Sequence, residues 1–500
     1  MNKDILKWNF IFQYGYVITN IINSLLLLPL YLQKIEVSTL GLWLATGNIL
    51  AWMTLADPGV GDVLQQKIAQ LRGQNKAEEV GLTIGSGMIM SGCILIISII
   101  AGITFYFFIG TIIDKDVSKY EGLQTALLIS IIATGMSLVS FSLSGINQGL
   151  QNSAPVAISA LSGNFMFLFT NVILLFMGFG VMAIAFSNLA RALLINIYNY
   201  TALRKVLNRD LLSIQFSKVH LKGFVKIFSF TSVSRIIGGF SASMDMIFLA
   251  RFVNPALITI FEINKRPIQM SKDLIGRHSV ALMPLISHAN GKDDKTEIKT
   301  LINTQFKYYY YIAIFVTLCF SFNYHNLITA WTGTGKYAGN EIVYLLISNF
   351  FFALIGYFMA NMGYALGDIK MNSFISIFKG LLSGVLFYFG SKYYGIIGVL
   401  VVMLSVSLCI DFLFYSYRLH QLGYLTGLSI NKVLKKWVLI IPLAAAGGWT
   451  LNFLFAMVVP ARMLIISIGL NGLSFTLLFL TLVLVLDQGL RIQLRSLVKI

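Results

Sequence analysis

The residues of this sequence that could do chemistry lie inside apolar stretches. From Leu249 to Pro284 the chain reads LARFVNPALITIFEINKRPIQMSKDLIGRHSVALMP, an apolar segment interrupted by charges. An ionised side chain near the centre of a bilayer costs roughly 2.5–3.5 kcal/mol on insertion scales, so such residues usually face a protein interior or a wet cavity. Guanidinium and ammonium groups in a cavity would bind an anion such as a phosphate. The embedded charges are Glu262, Lys265, Arg266, Lys272, Asp273 and Arg277.

The spacing of these charges predicts a helix with one polar face. Glu262, Arg266, Asp273 and Arg277 are separated by 4, 7 and 4 residues, so a helix presents them on one side. Each acid precedes an arginine by four residues and can pair with it. Pro267 removes one backbone hydrogen bond beside Arg266, which predicts a kink. That kink would serve either as a hinge or as a packing adjustment.

The depth of each base in the bilayer separates two interpretations. With the helix ending near Pro284, Arg277 lies about 10 Å from that end at 1.5 Å per residue. It can therefore snorkel to the cytoplasmic surface, as can Lys272. Lys265 and Arg266 lie about 30 Å from the same end, too deep to snorkel easily. We predict that these two line a cavity, and we include Lys272 and Arg277 as candidate substrate ligands.

Polar residues also lie inside other apolar segments. Arg191, Arg235 and Lys379 are lone bases that would either contact substrate or tie helices together. Gln13 and Asn20 belong to a stripe that suits sugar hydroxyls or helix packing equally well. The full stripe, on one helical face of the first segment, is Asn9, Gln13, Tyr16, Asn20 and Asn23.

Asp245 and Asp57 are candidates for coupling transport to H⁺ or Na⁺. A membrane carboxylate binds a coupling ion or pairs with a nearby base, and for Asp245 both Arg235 and Arg251 offer such a pairing. No His or Cys pattern has metal-ligand spacing. The segment TGTGKY at Thr332 lacks the spacing of a phosphate-binding loop. The sequence therefore predicts no cofactor and no metal, with H⁺ or Na⁺ coupling left open.

Composition indicates that membrane helices position these residues. Of the 500 residues, 57% are hydrophobic and 11% charged, with a mean hydropathy of +0.78. Soluble proteins average about 25% charged residues, so the chain is predicted to be an all-α polytopic membrane protein. About 14 windows are long and apolar enough to span. They cover 10–32, 39–59, 81–110, 123–148, 155–178, 180–202, 225–251, 256–285, 307–328, 341–366, 372–390, 395–416, 437–459 and 463–487.

The distribution of Lys and Arg predicts the topology. The net charge is +17, and most bases fall in loops on the side of the two termini. Because cytoplasmic loops are enriched in Lys and Arg, both termini are predicted to be cytoplasmic. This bias accounts for the basic composition, so no nucleic-acid partner is expected.

Two segments resemble a known family. GLWLATGNILAWMTLADPGVGDVLQQKIAQ, from Gly41 to Gln70, resembles the second span of Wzx-like polysaccharide flippases, in which a Gly-aromatic pair begins the helix and Asp-x-Gly-x-Gly ends it. DMIFLARF from Asp245, with EINKRPIQ and ALMPLIS, resembles the seventh and eighth spans. Pro58 departs from the family pattern and weakens any role for Asp57. The resemblance places the chain in the multidrug/oligosaccharidyl-lipid/polysaccharide superfamily.

That resemblance implies an architecture and a function. It implies two pseudo-symmetric six-helix lobes, 1–210 and 211–425, followed at 426–500 by two additional transmembrane helices and a cytoplasmic tail. It implies a non-enzymatic flippase in a bacterial-type inner membrane, moving a polyprenyl-diphosphate O-antigen or other polysaccharide repeat unit to the outer leaflet, as in lipopolysaccharide assembly. Membrane lipids and other polysaccharide assembly proteins are the further partners expected. A multidrug exporter of the same superfamily, and a membrane polysaccharide polymerase or glycosyltransferase, remain alternatives.

Overall fold

The computed structural model describes residues 3–55, 60–74, 76–225, 244–291, 295–425, 427–458 and 464–487. Within these ranges the chain is helical and contains no strand. The all-α polytopic class predicted from the sequence is confirmed. The main helices are Lys3–Lys34, Val37–Leu55, Val60–Gly73, Ala77–Ile113, Leu123–Gly149, Ser153–Phe176, Met182–Arg209, Pro255–Gly291, Lys295–Thr332, Asn340–Ala365, Ile369–Val406, Tyr415–Gln421, Gly427–Val458 and Leu464–Leu486.

Eight helices in the described part of the chain are long and apolar enough to cross a membrane. One of them, Lys370–Gln421, contains two of the predicted windows, and the shorter apolar helices Val37–Thr46 and Ile440–Phe455 match two more. The windows 180–202 and 256–285 are helical but carry more polar and charged residues. Most of the window 225–251 lies outside the described residues.

Glycine and a π-helix interrupt the longest helical stretch. Gly395, with φ 57° and ψ −134°, breaks Ile369–Val406 at the place where the sequence predicts two separate windows. A π-helical segment, Ser407–Phe414, follows. A side chain at Gly356 would meet the Asp411 backbone oxygen at 2.6 Å, so glycine there allows the π-helix to pack closely. Single π turns of this kind are frequent at functional sites.

Residues Met1–Thr259 and Ser376–Gly395 form one compact unit. Here Leu123–Gly149 lies against Val60–Gly73 through glycine, because a Cβ at Gly145 would overlap the backbone of Gly61. Gly61 is the second glycine of the Asp-x-Gly-x-Gly segment, so this contact gives that segment a packing role. The close approach suits membrane helices, which associate through small residues.

Residues Ile260–Ile375 and Ile396–Ile500 form the second compact unit. Asp487, 1% exposed, accepts hydrogen bonds from Lys307 Nζ at 2.6 Å and from the Tyr311 hydroxyl at 2.9 Å. These bonds hold the end of Leu464–Leu486 against Lys295–Thr332. The lobe boundaries predicted from the sequence, 210/211 and 425/426, stay predictions.

Candidate substrate-binding site

The helix Pro255–Gly291 carries the embedded charges, and we call it the charged helix. It continues as a helix through Pro267, which is buried. Its polar positions follow one face: Arg266, Gln269 and Asp273 are exposed, at intervals of three and four residues. Lys265, Lys272, Arg277 and Glu262 are half-buried. Arg266 is thus the exposed base of this helix, and its other three bases are partly accessible.

The opposite face of the charged helix is buried. Phe261, Ile263, Asn264 and Ile268 have relative exposures of 6% or less. The Lys265 ammonium lies over the Phe261 ring, 5.6 Å from its centroid. A cation over an aromatic face is attracted by the ring quadrupole. Lys265 therefore lies along the border between the buried face and the polar face.

Asp273 is the acid that lies among these bases. Its Oδ1 accepts a hydrogen bond of 3.0 Å from Gln269 Nε2. Lys272, Arg277 and Arg266 are all close enough to attract its carboxylate. The pairs predicted from the sequence, Asp273 with Arg277 and Glu262 with Arg266, stay predictions. With Glu262 counted as well, the helix holds two acids against four bases, which leaves net positive charge for an anionic ligand.

Asn264 fixes the charged helix beside the bases, and the sequence analysis missed it. Its Nδ2 donates to the Lys336 carbonyl at 2.8 Å, and its Oδ1 accepts from the Ala338 amide at 3.3 Å. The Tyr324 hydroxyl donates to the Asn264 carbonyl. The segment TGTGKY is thus a turn docked on this asparagine, with Gly333 and Gly335 at positive φ. The sequence signal that could have identified Asn264 is an amide side chain next to Lys265 on the otherwise apolar side of the helix.

The second half of the charged helix is tied to its neighbours by polar contacts. Ser279 Oγ accepts a hydrogen bond of 2.8 Å from Asn361 Nδ2. The ring of His278 shares a hydrogen bond of 2.9 Å with Gln305. A side chain at Gly276 would lie 3.0 Å from the Tyr357 ring, so the helices pack closely here. These contacts fix the rotation of the helix and hence the direction of its polar face.

The remaining predicted site residues lie in the first unit or outside the described residues. Arg191, Lys379 and Asn20 are half-buried, and Asp245 is 1% exposed. Gln13 lies in Lys3–Lys34, at a position where the structure describes the backbone only. Arg235 and Asp57 fall outside the described residues. All of these side-chain roles stay predictions.

Part of the first-span amide stripe packs helices together. Asn23 is 7% exposed and its Nδ2 donates to the Asn164 carbonyl at 3.0 Å. Asn164 Nδ2 donates in turn to Thr19 Oγ1 at 2.8 Å. For Asn23 the helix-packing interpretation therefore holds, while Asn20, more exposed, stays a candidate for contact with substrate. Among the described residues no group of three His, Cys, Asp or Glu side chains is placed to hold a metal ion.

Comparison with known proteins identifies the family of this chain. Residues 9–290 match the model of a family described as polysaccharide biosynthesis protein. The chain belongs to this family. The resemblance seen in the sequence is thereby confirmed. A search of curated protein sequences gives no match.

Solved structures with the same fold are flippases and transporters. The structure of lipid II flippase MurJ in an inward closed conformation superposes with a TM-score of 0.69 at 14% identity, covering 96% of this chain and 98% of that one. An inward-facing multidrug resistance MATE transporter of the MOP superfamily gives 0.62 at 16% identity, covering 83% and 96%. A MOP superfamily transporter from Pyrococcus furiosus gives 0.60 at 14% identity, covering 83% and 95%. The chain has the fold of this superfamily.

Proposed function

We propose that this protein is a flippase that moves a polyprenyl-diphosphate-linked oligosaccharide from the cytoplasmic to the outer leaflet of a bacterial-type inner membrane. The charged helix carries this proposal, because it holds four bases and only two acids at half-buried or exposed positions, namely Lys265, Arg266, Lys272 and Arg277 against Glu262 and Asp273. Diphosphate is an anion that guanidinium groups bind in fork geometry. Family membership supports the link to polysaccharide synthesis, and the fold supports transport by alternating access.

Each predicted substrate-binding residue has a role in the proposal. Lys265 and Arg266 bind the diphosphate, and Lys272 and Arg277 extend the positive surface toward the cytoplasm. Arg191, Arg235 and Lys379 are further candidate ligands, while Gln13 and Asn20 contact sugar hydroxyls. The lipid tail stays in the bilayer, both termini are cytoplasmic, and no catalytic residue is required. Proteins that make or polymerise the repeat unit would deliver and receive the cargo.

Replacing both deep bases, Lys265 and Arg266, with neutral residues tests the proposal. Lys265→Gln/Arg266→Gln is expected to abolish surface polysaccharide in cells that lack the native gene, while the protein reaches the membrane in normal amounts. Lys295→Gln/Lys299→Gln is the matched control, since it removes the same charge from exposed positions in the same unit. Full complementation by the 265/266 variant would exclude the cation-binding role.

A multidrug exporter is an alternative that the fold also allows, because a MATE transporter superposes on the chain. An exporter of cationic drugs would need acids on the accessible face of the charged helix, where bases predominate. Drug susceptibility that rises on deletion of the gene, with unchanged surface polysaccharide, would favour this alternative. If deletion of the gene altered the length of the glycan chains and left translocation normal, a polymerase or glycosyltransferase would be favoured.

A further inference from the structure

A polar stripe on the helix Asn340–Ala365 lies next to the charged helix. Tyr357, Asn361 and Tyr364 are spaced by four and three residues, so they share one face of that helix. Tyr357 is 41% and Tyr364 40% exposed, and Asn361 is half-buried. We call these three residues the aromatic stripe. They all belong to the second compact unit, as does the charged helix from Ile260 onward.

Glycine seats the first ring of the aromatic stripe on the charged helix. A Cβ at Gly276 would lie 3.0 Å from Cε1 and 3.3 Å from Cδ1 of Tyr357, so the ring packs against the helix where it has no side chain. Gly276 continues the row formed by Arg266, Gln269 and Asp273, at intervals of three, four and three residues. Charged side chains in a membrane protein face a wet cavity or the protein interior rather than lipid. The exposed part of Tyr357 therefore borders the same polar surroundings as these side chains.

Hydrogen-bonding atoms beside the aromatic stripe are left open by the protein. Asn361 Nδ2 donates to Ser279 Oγ at 2.8 Å, which leaves Asn361 Oδ1 as an acceptor within the described part of the chain. Tyr309 is 1% exposed, and its hydroxyl has no hydrogen-bond partner among the described residues. Ser279 and the Tyr357 hydroxyl lie near it. Because an unpaired buried hydroxyl is unfavourable, a ligand hydroxyl that enters beside Tyr357 would supply a missing bond.

An aromatic ring flanked by amide and hydroxyl groups suits a sugar. The C–H groups on one face of a pyranose are apolar and pack on the negative face of an aromatic ring, while the sugar hydroxyls bond to amides and phenols. Tyr357 and Tyr364 are about 10 Å apart along the helix axis, a length that suits a disaccharide. A cationic drug would instead need an acid here, and the aromatic stripe contains none.

The distance from the deep bases indicates which sugars the aromatic stripe would bind. Gly276, where the Tyr357 ring packs, lies about 15 Å beyond Arg266 along the helix axis. The first sugar of a lipid-linked glycan is bonded directly to the diphosphate, so it stays beside Lys265 and Arg266. Sugars further along the glycan reach Tyr357. The aromatic stripe would therefore distinguish repeat units by their later sugars.

We propose that the aromatic stripe is a glycan-recognition subsite: the Tyr357 ring packs against one sugar of the cargo, Asn361 accepts from its hydroxyls, and Tyr364 contacts the next sugar. The subsite rests on the proposed function, since it needs a diphosphate anchored at Lys265 and Arg266. It adds selectivity that the bases cannot supply, because every lipid diphosphate offers them the same charges. Selection among glycans then falls to the aromatic stripe.

Binding with and without the glycan tests the subsite. Purified protein in nanodiscs is titrated with bare polyprenyl diphosphate and with the lipid-linked oligosaccharide extracted from cells that lack the native gene. We expect the parent protein to bind the glycosylated lipid about tenfold more tightly, and Tyr357→Leu to lose this gain while binding the bare diphosphate as before. Tyr357→Phe, which keeps the ring, should retain most of the gain. Tyr344→Leu is the matched control, because Tyr344 is 50% exposed on the opposite side of the same helix, and it should bind both ligands like the parent.

The two ligands separate failure of the subsite from failure of the proposed function. If the parent bound neither ligand, the proposed function would fail and the subsite with it. If the bare diphosphate bound and the glycan added nothing, or if Tyr357→Leu weakened both ligands equally, the subsite alone would fail. Tyr364→Leu leaves the contact at Gly276 intact and gives the same test should Tyr357→Leu not fold. We expect it to weaken binding of the glycosylated lipid alone, about threefold, and an unchanged affinity would overturn the subsite.

Discussion

At the residue scale, the electrostatics of the proposed site depend on Asp273. Its carboxylate, held by Gln269 at 3.0 Å, attracts three bases of the charged helix. A diphosphate that enters the site must compete with this carboxylate for the same cations. Such competition weakens binding and also eases release, which a transporter needs in every cycle. In the proposed mechanism, Asp273 therefore balances tight binding of the cargo against its release.

Asp273→Asn should bind anionic cargo more tightly and release it more slowly. The loss of one charge near an exposed surface changes binding by about 1 kcal/mol, or roughly fivefold. Titration of purified protein in nanodiscs with a polyprenyl diphosphate measures the affinity. Asp116→Asn, in an exposed loop, removes the same charge and serves as control. Unchanged affinity in Asp273→Asn would show that its carboxylate does not compete with cargo.

Asp210 gives a pH-dependent contribution to stability. Hydrogen bonding from Arg209, and the positive charge of Arg72 whose Nη2 lies 2.7 Å away, lower the pKa of Asp210 below its ordinary value. A carboxyl whose folded pKa is lowered stabilises the fold above its unfolded pKa, about 3.9, and loses that stabilisation as the pH falls through its folded pKa. Asp210→Asn should therefore lower the unfolding temperature in detergent at pH 7 and have less effect near pH 3. An equal fall in unfolding temperature at both pH values would contradict an ionic origin of the stabilisation. Glu121→Gln, which removes a charge at an exposed position, is the control.

At the element scale, glycine contacts decide how the helices pack. The close approach of Gly61 and Gly145 explains why the second glycine of Asp-x-Gly-x-Gly suits its position, which the resemblance alone left unexplained. Gly145→Ala should lower stability by about 1–3 kcal/mol, the usual cost of overpacking. Gly92→Ala, in a helix of the same unit with no atom within 4 Å of the added Cβ, should be neutral or stabilising. Thermal unfolding in detergent compares the two, and equal midpoints would contradict the packing role.

The sequence predicts these elements better than it predicts their contacts. The apolar windows can be read from local composition, so the helices were predictable. The break between the windows that end at 390 and begin at 395 was predictable in the same way, and the structure has it at Gly395. The polar face of the charged helix follows from helical periodicity alone. The contacts of Asn264 with the 336–338 turn, and those of Lys115 with 250–253, join positions 72 to 138 residues apart. No periodic signal encodes such pairs, and the sequence alone predicts only that Lys115 and Arg251 are bases in loops.

At the scale of the whole molecule, a flippase must couple its conformational change to a source of free energy. Asp245 is the candidate with the strongest structural basis, because its carboxylate is 1% exposed within helical residues 244–252. A buried carboxylate gains or loses a proton, or binds a cation, with a large electrostatic effect on its surroundings. It also lies six residues before Arg251 in the same helical stretch.

Asp245→Asn should therefore separate basal transport from its acceleration by an ion gradient. In vesicles loaded with a fluorescent polyprenyl-diphosphate-linked sugar, we expect an imposed H⁺ or Na⁺ gradient to accelerate the parent protein but not the variant. Asp487→Asn is the matched control, since Asp487 is equally buried and its contacts with Lys307 and Tyr311 make it a structural residue. That control should lower thermal stability and keep the gradient response. A normal gradient response in Asp245→Asn would remove Asp245 from coupling and would leave the membrane potential, acting on the charged cargo itself, as the driving force to test next.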